Sequence, residues 1–318
     1  MIATVTANPS LDRTLHVTEL VPGAVHRAWR ETLEPSGKGV NVALALHGTR
    51  HPVTAVLPVG GASGRQLVSM LNDIGLSHLD VPIDGTLRTN VSIVEANGTT
   101  TKINEAGPTL TLDETRLLLD AALGVGDVGD WLVWCGSLPG GFGPPLLAES
   151  VAKARKEGRR VAVDTSGAAL STVLSQSSDK LPHLIKPNAE ELAELTGRTL
   201  QTVGDVASAA ADLVRRGLDT VLVSLGGDGA VLVDRQVALH GRAPVDRVVN
   251  TVGAGDAFLA GYLAADGGGP QERLASGLRY GAAAVQHEGT LLTDVDLEYP
   301  VQVHPIKGSD PLSAAVRK

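Results

Sequence analysis

From about residue 108 onward, short apolar runs alternate with stretches in which apolar residues recur at helical spacing. Three of the runs predict buried strands: WLVWC at 131–135, VAVD at 161–164 and TVLVSL at 220–225. The stretches TLDETRLLLDAAL, PPLLAESVAKARKEG and VASAAADLVRRG predict helices, and in the first of them Thr111 and Glu114 have the spacing of a capping box. This alternation favours a mostly parallel sheet with helices on both faces.

The first hundred residues follow a different pattern, in which half-polar alternation predicts strands with one exposed face. RTLHVTEL and AVHRAWRETL are predicted strands joined by a turn at Pro22-Gly23, and RTNVSIVEANGTTTKIN is a predicted hairpin that turns at Asn97-Gly98. We interpret residues 10–36 and 83–104 as a small β-sheet lid. Residues 1–9, 37–82 and 105–318 would then form one large α/β domain.

Composition narrows the classes of function. The 318 residues carry 27 basic and 35 acidic side chains, a net charge of −8, and only 3% are aromatic, which argues against nucleic acid as a partner. The longest apolar run, AFLAGYLAA, is much shorter than a membrane span, and MIATVTANPS lacks the basic start of a signal peptide. With a single cysteine, Cys135, we expect no internal disulfide and a cytoplasmic protein.

The segment NTVGAGDAFLAGYLAA at 250–265 places one carboxylate, Asp256, directly after Gly253, Ala254 and Gly255. Small residues at a helix N-terminus let an anion approach free backbone N–H groups, which makes this a candidate phosphate site. The alternative is that Asp256 only complements the helix dipole.

Three further segments are candidates for chemistry, and the first two each allow two interpretations. SLGGDGAVLV is either a plain hairpin or a backbone surface for a nucleotide. In KPNAEELAEL, Asn188 and Glu191 form a capping box, lie near a hydrated Mg²⁺, or do both. EPSGKGVNVA lacks the spacing of a P-loop, but Lys38 between two glycines is a plausible contact for a substrate oxygen.

The order of these motifs carries more information than any one of them. SGKGVNVA, CGSLPGG, DTSG, IKPNAEE, VSLGGDGA and TVGAGDAF follow one another along the chain. In this the sequence resembles the ribokinase-like (PfkB) sugar kinases through about residue 290. TANPSLDRT and TKINEAGP are similar to the branch that phosphorylates already phosphorylated ketohexoses, which includes 1-phosphofructokinases and tagatose-6-phosphate kinases.

The resemblance implies a three-layer sandwich with a β lid, and a kinase that uses ATP and Mg²⁺. Asp256 would be the general base, and the N–H groups of Gly253, Ala254 and Gly255 would stabilise the transferring phosphoryl group. The implied nucleotide contacts are Lys186, Asn188, Ser224, Leu225, Gly226, Gly227, Asp228, Gly229, Thr251 and Gly255. Mg²⁺ would lie near Asn188 and Glu191, held through water.

The implied sugar contacts lie mostly near the lid. They are Asp12, Gly37, Gly39, Asn41 and Asp256 for the sugar, and Lys38, Arg88, Lys102 and Ser137 for its phosphate. Arg88 and Lys102 lie on strands predicted to pair, so we expect them to converge on one phosphate, unless they are only solvated hairpin charges.

The expected substrate is fructose 1-phosphate, phosphorylated to the 1,6-bisphosphate. Tagatose 6-phosphate, fructose 6-phosphate or an unphosphorylated sugar are alternative acceptors, and a catalytically inactive sugar-phosphate sensor is an alternative of another class. A homodimer through the lid is expected by analogy with the family.

Overall fold

The computed structural model describes residues 1–287, 289, 292, 295–296, 298–306, 310–313 and 316. Its strands are β1 (Ile2–Thr6), β2 (Ser10–Val17), β3 (Arg30–Ser36), β4 (Val53–Val59), β5 (His78–Pro82), β6 (Arg88–Glu95), β7 (Thr100–Asn104), β8 (Trp131–Cys135), β9 (Arg160–Asp164), β10 (Leu184–Ile185), β11 (Thr220–Ser224), β12 (Ala230–Asp234), β13 (Ala238–Arg242) and β14 (Gln302–Pro305). Its α-helices are α1 (Lys38–Gly48), α2 (Gly61–Ile74), α3 (Leu112–Gly124), α4 (Pro144–Lys156), α5 (Gly167–Leu174), α6 (Ala189–Thr196), α7 (Val203–Arg215), α8 (Ala254–Ala264) and α9 (Pro270–Gln286).

Within the described residues, ten strands form one large sheet in the order β14-β13-β12-β11-β10-β9-β8-β1-β4-β5. The strands from β11 to β5 in this order are all parallel, whereas β12, β13 and β14 extend the sheet through antiparallel pairs. Val, Leu and Ala fill most of the interior on both sides of the strands. The predicted mostly parallel sheet is therefore present, with an antiparallel edge.

Eight of the nine described helices pack in two groups, and α2 packs on strands of both sheets. One contains α1, α8 and α9, and the other runs from α3 through α4, α5 and α6 to α7. Close packing of α8 on α9 depends on two glycines: a Cβ on Gly261 would lie 2.6 Å from the Tyr280 ring, and one on Gly277 would lie 2.8 Å from the Phe258 ring. The apolar run after Asp256 is thus a buried core helix.

A second, four-stranded sheet has the order β3-β2-β6-β7. Its strands fall within residues 10–36 and 83–104, the segments that the sequence assigns to a lid; the domain bounds themselves stay a prediction. The central pair, β2 and β6, is parallel, so this pairing joins two segments that are distant along the chain.

Two details of the lid differ from or refine the prediction. The turn at Asn97-Gly98 is present, with Gly98 at φ 89°. The predicted strand AVHRAWRETL begins only at Arg30, because the chain turns at Gly23 (φ 84°) and first returns to β2 where the Trp29 N–H donates to the carbonyl of His16. Residues 24–28 are mostly exposed and make no ladder.

Across the part of the chain that the structure describes, no helix is both long and apolar enough to cross a bilayer.

The capping box of α3 gives a direct test of local stability. The hydroxyl of Thr111 accepts a hydrogen bond from the N–H of Glu114, and the Glu114 carboxylate accepts one from the N–H of Thr111. Thr111→Ala should lower the free energy of unfolding by about 1 kcal/mol, measured in urea. Thr100→Ala, on the exposed strand β7, is the matched control and should change it by less than about 0.5 kcal/mol. Equal losses in the two variants would contradict a role for the cap.

Candidate active site

The candidate site lies along the edge of the large sheet where its parallel strands end. Asn8 follows β1, Ser137 follows β8, Asp164 ends β9, Lys186 follows β10 and Ser224 ends β11. These five strands are neighbours in the sheet, so their carboxyl ends form one continuous line. Open α/β sheets bind their ligands at this edge.

At the centre of the line, the carboxylate of Asp164 lies fully buried between two ammonium groups. Lys38 Nζ donates to its Oδ1 at 3.0 Å, and Lys186 Nζ lies 3.0 Å from its Oδ2. Burial alone would raise the pKa of Asp164, but Lys186 and Lys38 outweigh it and hold that pKa below its ordinary value. The pKa of Lys38 is raised in turn, because Asp164, Asp256 and Glu191 outweigh the cost of burying its charge. Asp164 and Lys38 therefore stabilise each other's charged form.

Asp256 lies beside this ion cluster, in the first turn of α8, and is 6% exposed. The side-chain amide of Asn41 donates to its Oδ2 at 2.8 Å. Burial, followed by the negative charge of Asp164, raises the pKa of Asp256 to about 6, although Lys186 and Lys38 oppose the shift. A carboxylate with this pKa is mostly ionised at neutral pH, yet is a stronger base than an exposed aspartate.

The N-terminus of α8 offers free backbone donors next to that carboxylate. Gly253 adopts a left-handed conformation (φ 77°), and its carbonyl accepts the N–H groups of Asp256 and Ala257. The N–H groups of Gly253 and Gly255 have no acceptor among the described residues, and Ala254 makes only a long bond of 3.4 Å to Thr251. The predicted phosphate-binding turn thus has its donors in place.

Polar side chains of the small sheet surround Asp12. Ser10 Oγ and Asn90 Nδ2 donate to its Oδ1 at 2.9 and 2.8 Å, and Ser36 Oγ donates to its Oδ2 at 2.8 Å. The side-chain oxygens of Asn90 and Asn41 are buried and have no hydrogen-bond donor among the described residues. Buried amide oxygens of this kind require donors, which the hydroxyl groups of a sugar can supply.

A second polar group forms around Arg88, at the start of β6. Asn8 Nδ2 donates to Ser137 Oγ at 3.3 Å and to the carbonyl of Ala106 at 3.1 Å. Arg88 donates through Nη1 to the carbonyl of Glu105 at 3.2 Å, whereas its buried Nε has no acceptor among the described residues. Burial lowers the pKa of Arg88, against the attraction of Asp12, so this partly desolvated cation favours an anion.

Lys102 does not join Arg88, contrary to the sequence expectation. Strand β7 pairs with β6 in a register that places Lys102 opposite Ser92, four residues beyond Arg88. Four residues span roughly 13 Å along a strand. Lys102 is also exposed, so the two cations do not converge on one phosphate within this structure.

The glycine-rich hairpin between β11 and β12 has two kinds of glycine. A Cβ on Gly226 or Gly227 would meet no atom within 4 Å, so the backbone there is open to a ligand, whereas one on Gly229 would lie 2.0 Å from the carbonyl oxygen of Gly241. The Asp228 carboxylate is already engaged, since it accepts hydrogen bonds from Arg242 and from the N–H of Ser313. Ser224 and Leu225 lead into this turn, and Thr251 is exposed before α8.

Gly37 and Gly39 flank Lys38 where α1 meets β1. A Cβ on Gly39 would lie 2.4 Å from the Thr6 hydroxyl, and one on Gly37, at φ 121°, would lie 2.7 Å from the Thr6 methyl group. Close approach of the two segments therefore requires both glycines, whatever they contribute to a substrate.

Asn188 and Glu191 form the capping box of α6. Asn188 Oδ1 accepts the N–H of Glu191 at 2.8 Å, and Glu191 Oε2 accepts the N–H of Asn188 at 2.9 Å. Glu191 is also close enough to raise the pKa of Lys38, which places it next to the ion cluster. Because the cap uses only one carboxylate oxygen, these residues fit a hydrated Mg²⁺ held through water.

The sequence matches the model of the pfkB family of carbohydrate kinases over residues 5–296. The chain belongs to this family.

Several characterised members of the pfkB family are similar over most of their length. The 1-phosphofructokinase of Rhodobacter capsulatus is 39% identical over 267 residues, which cover 82% of each chain. The ATP-dependent 6-phosphofructokinase isozyme 2 of Escherichia coli is 35% identical over 299 residues, covering 93% of this chain and 96% of the relative. The crystal structure of E. coli phosphofructokinase-2 with fructose-6-phosphate aligns with a TM-score of 0.84 at 34% identity, covering 90% and 93% of the two chains. The predicted ribokinase-like fold is confirmed.

Three residues of this pfkB-family site were not singled out from the sequence. Asp164 had a detectable signal, because it ends a buried strand, where an acid is unusual unless it is paired. Asn8 lies within the quoted segment TANPSLDRT, but nothing local indicated the contacts of Asn8 to Ser137 or of Asn90 to Asp12, since they exist only once distant strands have paired.

Removing a cation from the buried ion cluster should lower the stability of the protein more than removing one from a surface ion pair. Lys186→Met should lower the free energy of unfolding by about 3–5 kcal/mol, because it leaves the buried Asp164 with one cation fewer. Arg235→Met is the control, since Arg235 pairs with Asp219 at 3.1 Å on the surface, and it should cost less than about 1 kcal/mol. Urea denaturation at neutral pH measures both, and similar costs would contradict a structural role for the cluster.

Proposed function

We propose that this kinase transfers the γ-phosphoryl group of ATP to a ketohexose phosphate, with fructose 1-phosphate as the preferred acceptor. The observation that carries the proposal is that two unlike groups flank the buried polar side chains where the small sheet meets the edge of the large sheet. A base of raised pKa, Asp256, stands at the phosphate-binding turn, and a partly desolvated cation, Arg88, stands by Ser137 at the far side of the buried polar side chains. A sugar with a hydroxyl at one end and a phosphate at the other fits this polarity.

Asp256 acts as the general base of the proposed reaction. It accepts the proton of the sugar hydroxyl as that oxygen forms a bond to the γ-phosphorus. The bond between the γ-phosphorus and the oxygen that bridges it to ADP breaks, and ADP leaves with that electron pair. Asn41 orients the base through its hydrogen bond to Oδ2, which leaves Oδ1 available for the proton.

The backbone and the two lysines supply the positive field for this transfer. The N–H groups of Gly253 and Gly255, with that of Ala254 released from its long bond, would bind the oxygens of the transferring group. Lys186 and Lys38 are held beside the turn by Asp164. Mg²⁺, held through water near Asn188 and Glu191, would neutralise negative charge on the phosphates of ATP.

The nucleotide would lie at the β11–β12 hairpin. Gly226 and Gly227 provide open backbone, Ser224 and Leu225 precede it, and Gly229 keeps the turn tight. Asp228 contributes through the backbone and by fixing the hairpin to Arg242, since its carboxylate is occupied. Thr251 would close the other side of the nucleotide site.

The sugar phosphate would lie between the small sheet and α1. Asp12, Asn41 and Asn90 would bind hydroxyl groups, and the backbone at Gly37 and Gly39 would line the sugar site beside Lys38. Arg88, Ser137 and Asn8 would bind the phosphate. Both 1-phosphofructokinases and a 6-phosphofructokinase are among the similar proteins, which supports the substrate class; fructose 6-phosphate and tagatose 6-phosphate are the alternative acceptors.

Two expectations about the cellular context remain predictions. ATP and sugar phosphates are cytoplasmic metabolites, which supports a cytoplasmic enzyme.

A homodimer through the lid has support from apolar side chains that are exposed on the small sheet and its loop, namely Val25, Trp29 and Ile103.

The catalytic base has a defined pH signature. In the wild-type enzyme, kcat/KM for fructose 1-phosphate should fall as pH decreases through about 6, since protonation of Asp256 removes the base. Asp256→Asn should lower kcat by at least ~10²-fold and leave ATP affinity nearly unchanged. An acid limb that persists unchanged in Asp256→Asn would belong to the substrate phosphate, which also titrates near 6. That result, or turnover within a few-fold of wild type, would remove Asp256 from the role of base.

The phosphate subsite is tested by comparing two cations of the lid. Arg88→Ala should raise KM for fructose 1-phosphate by at least ~10-fold with little change in KM for ATP, because a charge-assisted contact contributes roughly 1.5–3 kcal/mol. Lys102→Ala is the matched control and should change KM for the sugar phosphate less than three-fold, about 0.6 kcal/mol. Lys102 lies opposite Ser92, four residues beyond Arg88 along β6, and so does not reach the same phosphate.

Steady-state assays that couple ADP release to a readout should cover fructose 1-phosphate, fructose 6-phosphate, tagatose 6-phosphate and free fructose. Higher kcat/KM for free fructose than for every phosphorylated sugar would reject the proposed substrate class. Equal effects of Arg88→Ala and Lys102→Ala would reject the assignment of the phosphate to the Arg88 side.

A further inference from the structure

Two histidines face each other at the antiparallel edge of the large sheet, outside the site described above. His240 on β13 and His304 on β14 are directly opposite in the strand pairing, with ring centroids 5.6 Å apart and the rings nearly perpendicular. Directly opposed residues of an antiparallel pair project from the same face of the sheet. The carboxylate of Asp310 completes the group, and one ligand atom from each of the three residues lies within 4.8 Å of the other two.

The tautomer of His240 is fixed by its surroundings. Its Nε2 lies 2.8 Å from the carbonyl oxygen of Asp228, and because a carbonyl can only accept, Nε2 carries the proton. The other ring nitrogen, Nδ1, therefore has a lone pair, and it is buried with no hydrogen-bond partner among the described residues. The whole residue is only 4% exposed. A histidine that donates one ring nitrogen to a backbone carbonyl and keeps the other as a lone pair has the arrangement of a metal ligand.

Asp310 is held near the histidines by its backbone. Its carbonyl accepts the N–H of Val203, at the start of α7, at 2.9 Å. Three residues further on, the N–H of Ser313 donates to the Asp228 carboxylate at 2.6 Å. The same Asp228 whose carbonyl orients His240 therefore anchors the segment that carries Asp310.

We propose that His240, His304 and Asp310 form a binding site for a divalent transition metal ion, with Zn²⁺ as the best match. Two imidazole nitrogens and one carboxylate oxygen, with a water as fourth ligand, are a donor set that suits Zn²⁺. Mg²⁺ requires oxygen ligands and is disfavoured by the two imidazoles. Tetrahedral ligands of Zn²⁺ lie about 3.3 Å apart, so binding draws the three groups closer together.

The site differs in place and in chemistry from the Mg²⁺ position at Asn188 and Glu191. It joins β13, β14 and the segment at 310–313, and it contacts the nucleotide hairpin through Asp228. Bound metal would fasten this C-terminal segment to the hairpin. We expect the bound ion to stabilise the end of the large sheet that β13 and β14 form.

Binding should be measured on the full chain with any affinity tag removed and after treatment with a chelator. Zn²⁺ alone is titrated in competition with a chromophoric chelator, and stoichiometry is checked by equilibrium dialysis. The test variants are His304→Asn and Asp310→Asn, which avoid the buried His240. His78→Asn is the control, because His78 pairs with Asp80 at 3.6 Å on β5 and, in the part of the chain that the structure describes, this pair has no third candidate ligand.

We expect one Zn²⁺ per chain in the wild type and in His78→Asn, with millimolar Mg²⁺ unable to displace it. Affinity should fall at least 10-fold in His304→Asn and in Asp310→Asn, and Zn²⁺ should raise the Tm of the wild type but not of these variants. Absence of stoichiometric binding, or binding that survives His304→Asn, overturns the proposal. Full affinity in Asp310→Asn would show that the three-residue site is wrong.

Discussion

The buried carboxylate of Asp164, held between two lysines, is the interaction on which the rest of the site depends. A carboxylate fully removed from water is unfavourable unless its charge is compensated, and Lys38 and Lys186 compensate it at 3.0 Å each. Lys38 begins α1 directly after the small sheet ends, and Lys186 follows β10 next to Gly255. One carboxylate thus fixes the position of two cations that come from distant segments of the chain.

The negative charge of Asp164 also raises the pKa of the neighbouring Asp256. Asp256 is buried close to Asp164, and two nearby carboxylates ionise less readily than one. The lysines oppose this effect without cancelling it, so the pKa of Asp256 is raised only to about 6. The arrangement gives a base that remains ionised at neutral pH, in a positive field that suits phosphate groups.

The thiol of Cys135 adjoins the same cluster, and burial raises its pKa so that it stays protonated and takes no part in the charge balance.

The sheet topology separates the two ends of the proposed reaction. Strands β11 and β10 carry the hairpin and Lys186 at one end of the edge, and β8 and β1 carry Ser137 and Asn8 at the other, with Asp164 between them. The parallel pairing of β2 with β6 then places Asp12 and Arg88 over the second end. The residues proposed to bind the substrate therefore come from both sheets, and their relative positions depend on how the two sheets meet.

The sequence by itself determined the alternating strands and helices, the capping boxes at Thr111 and Asn188, the turn at Gly98 and the buried helix after Asp256. Each of these depends on residues close together in the chain, where periodicity and turn chemistry act. The order of the motifs also identified the family. Only the tertiary structure decided that Asp164 pairs with both lysines and that Asn8 contacts Ser137. It also decided that Lys102 lies opposite Ser92, four residues beyond Arg88 along β6. These contacts join residues up to 129 positions apart, and their geometry is set by strand order and pairing register, which local pattern does not encode.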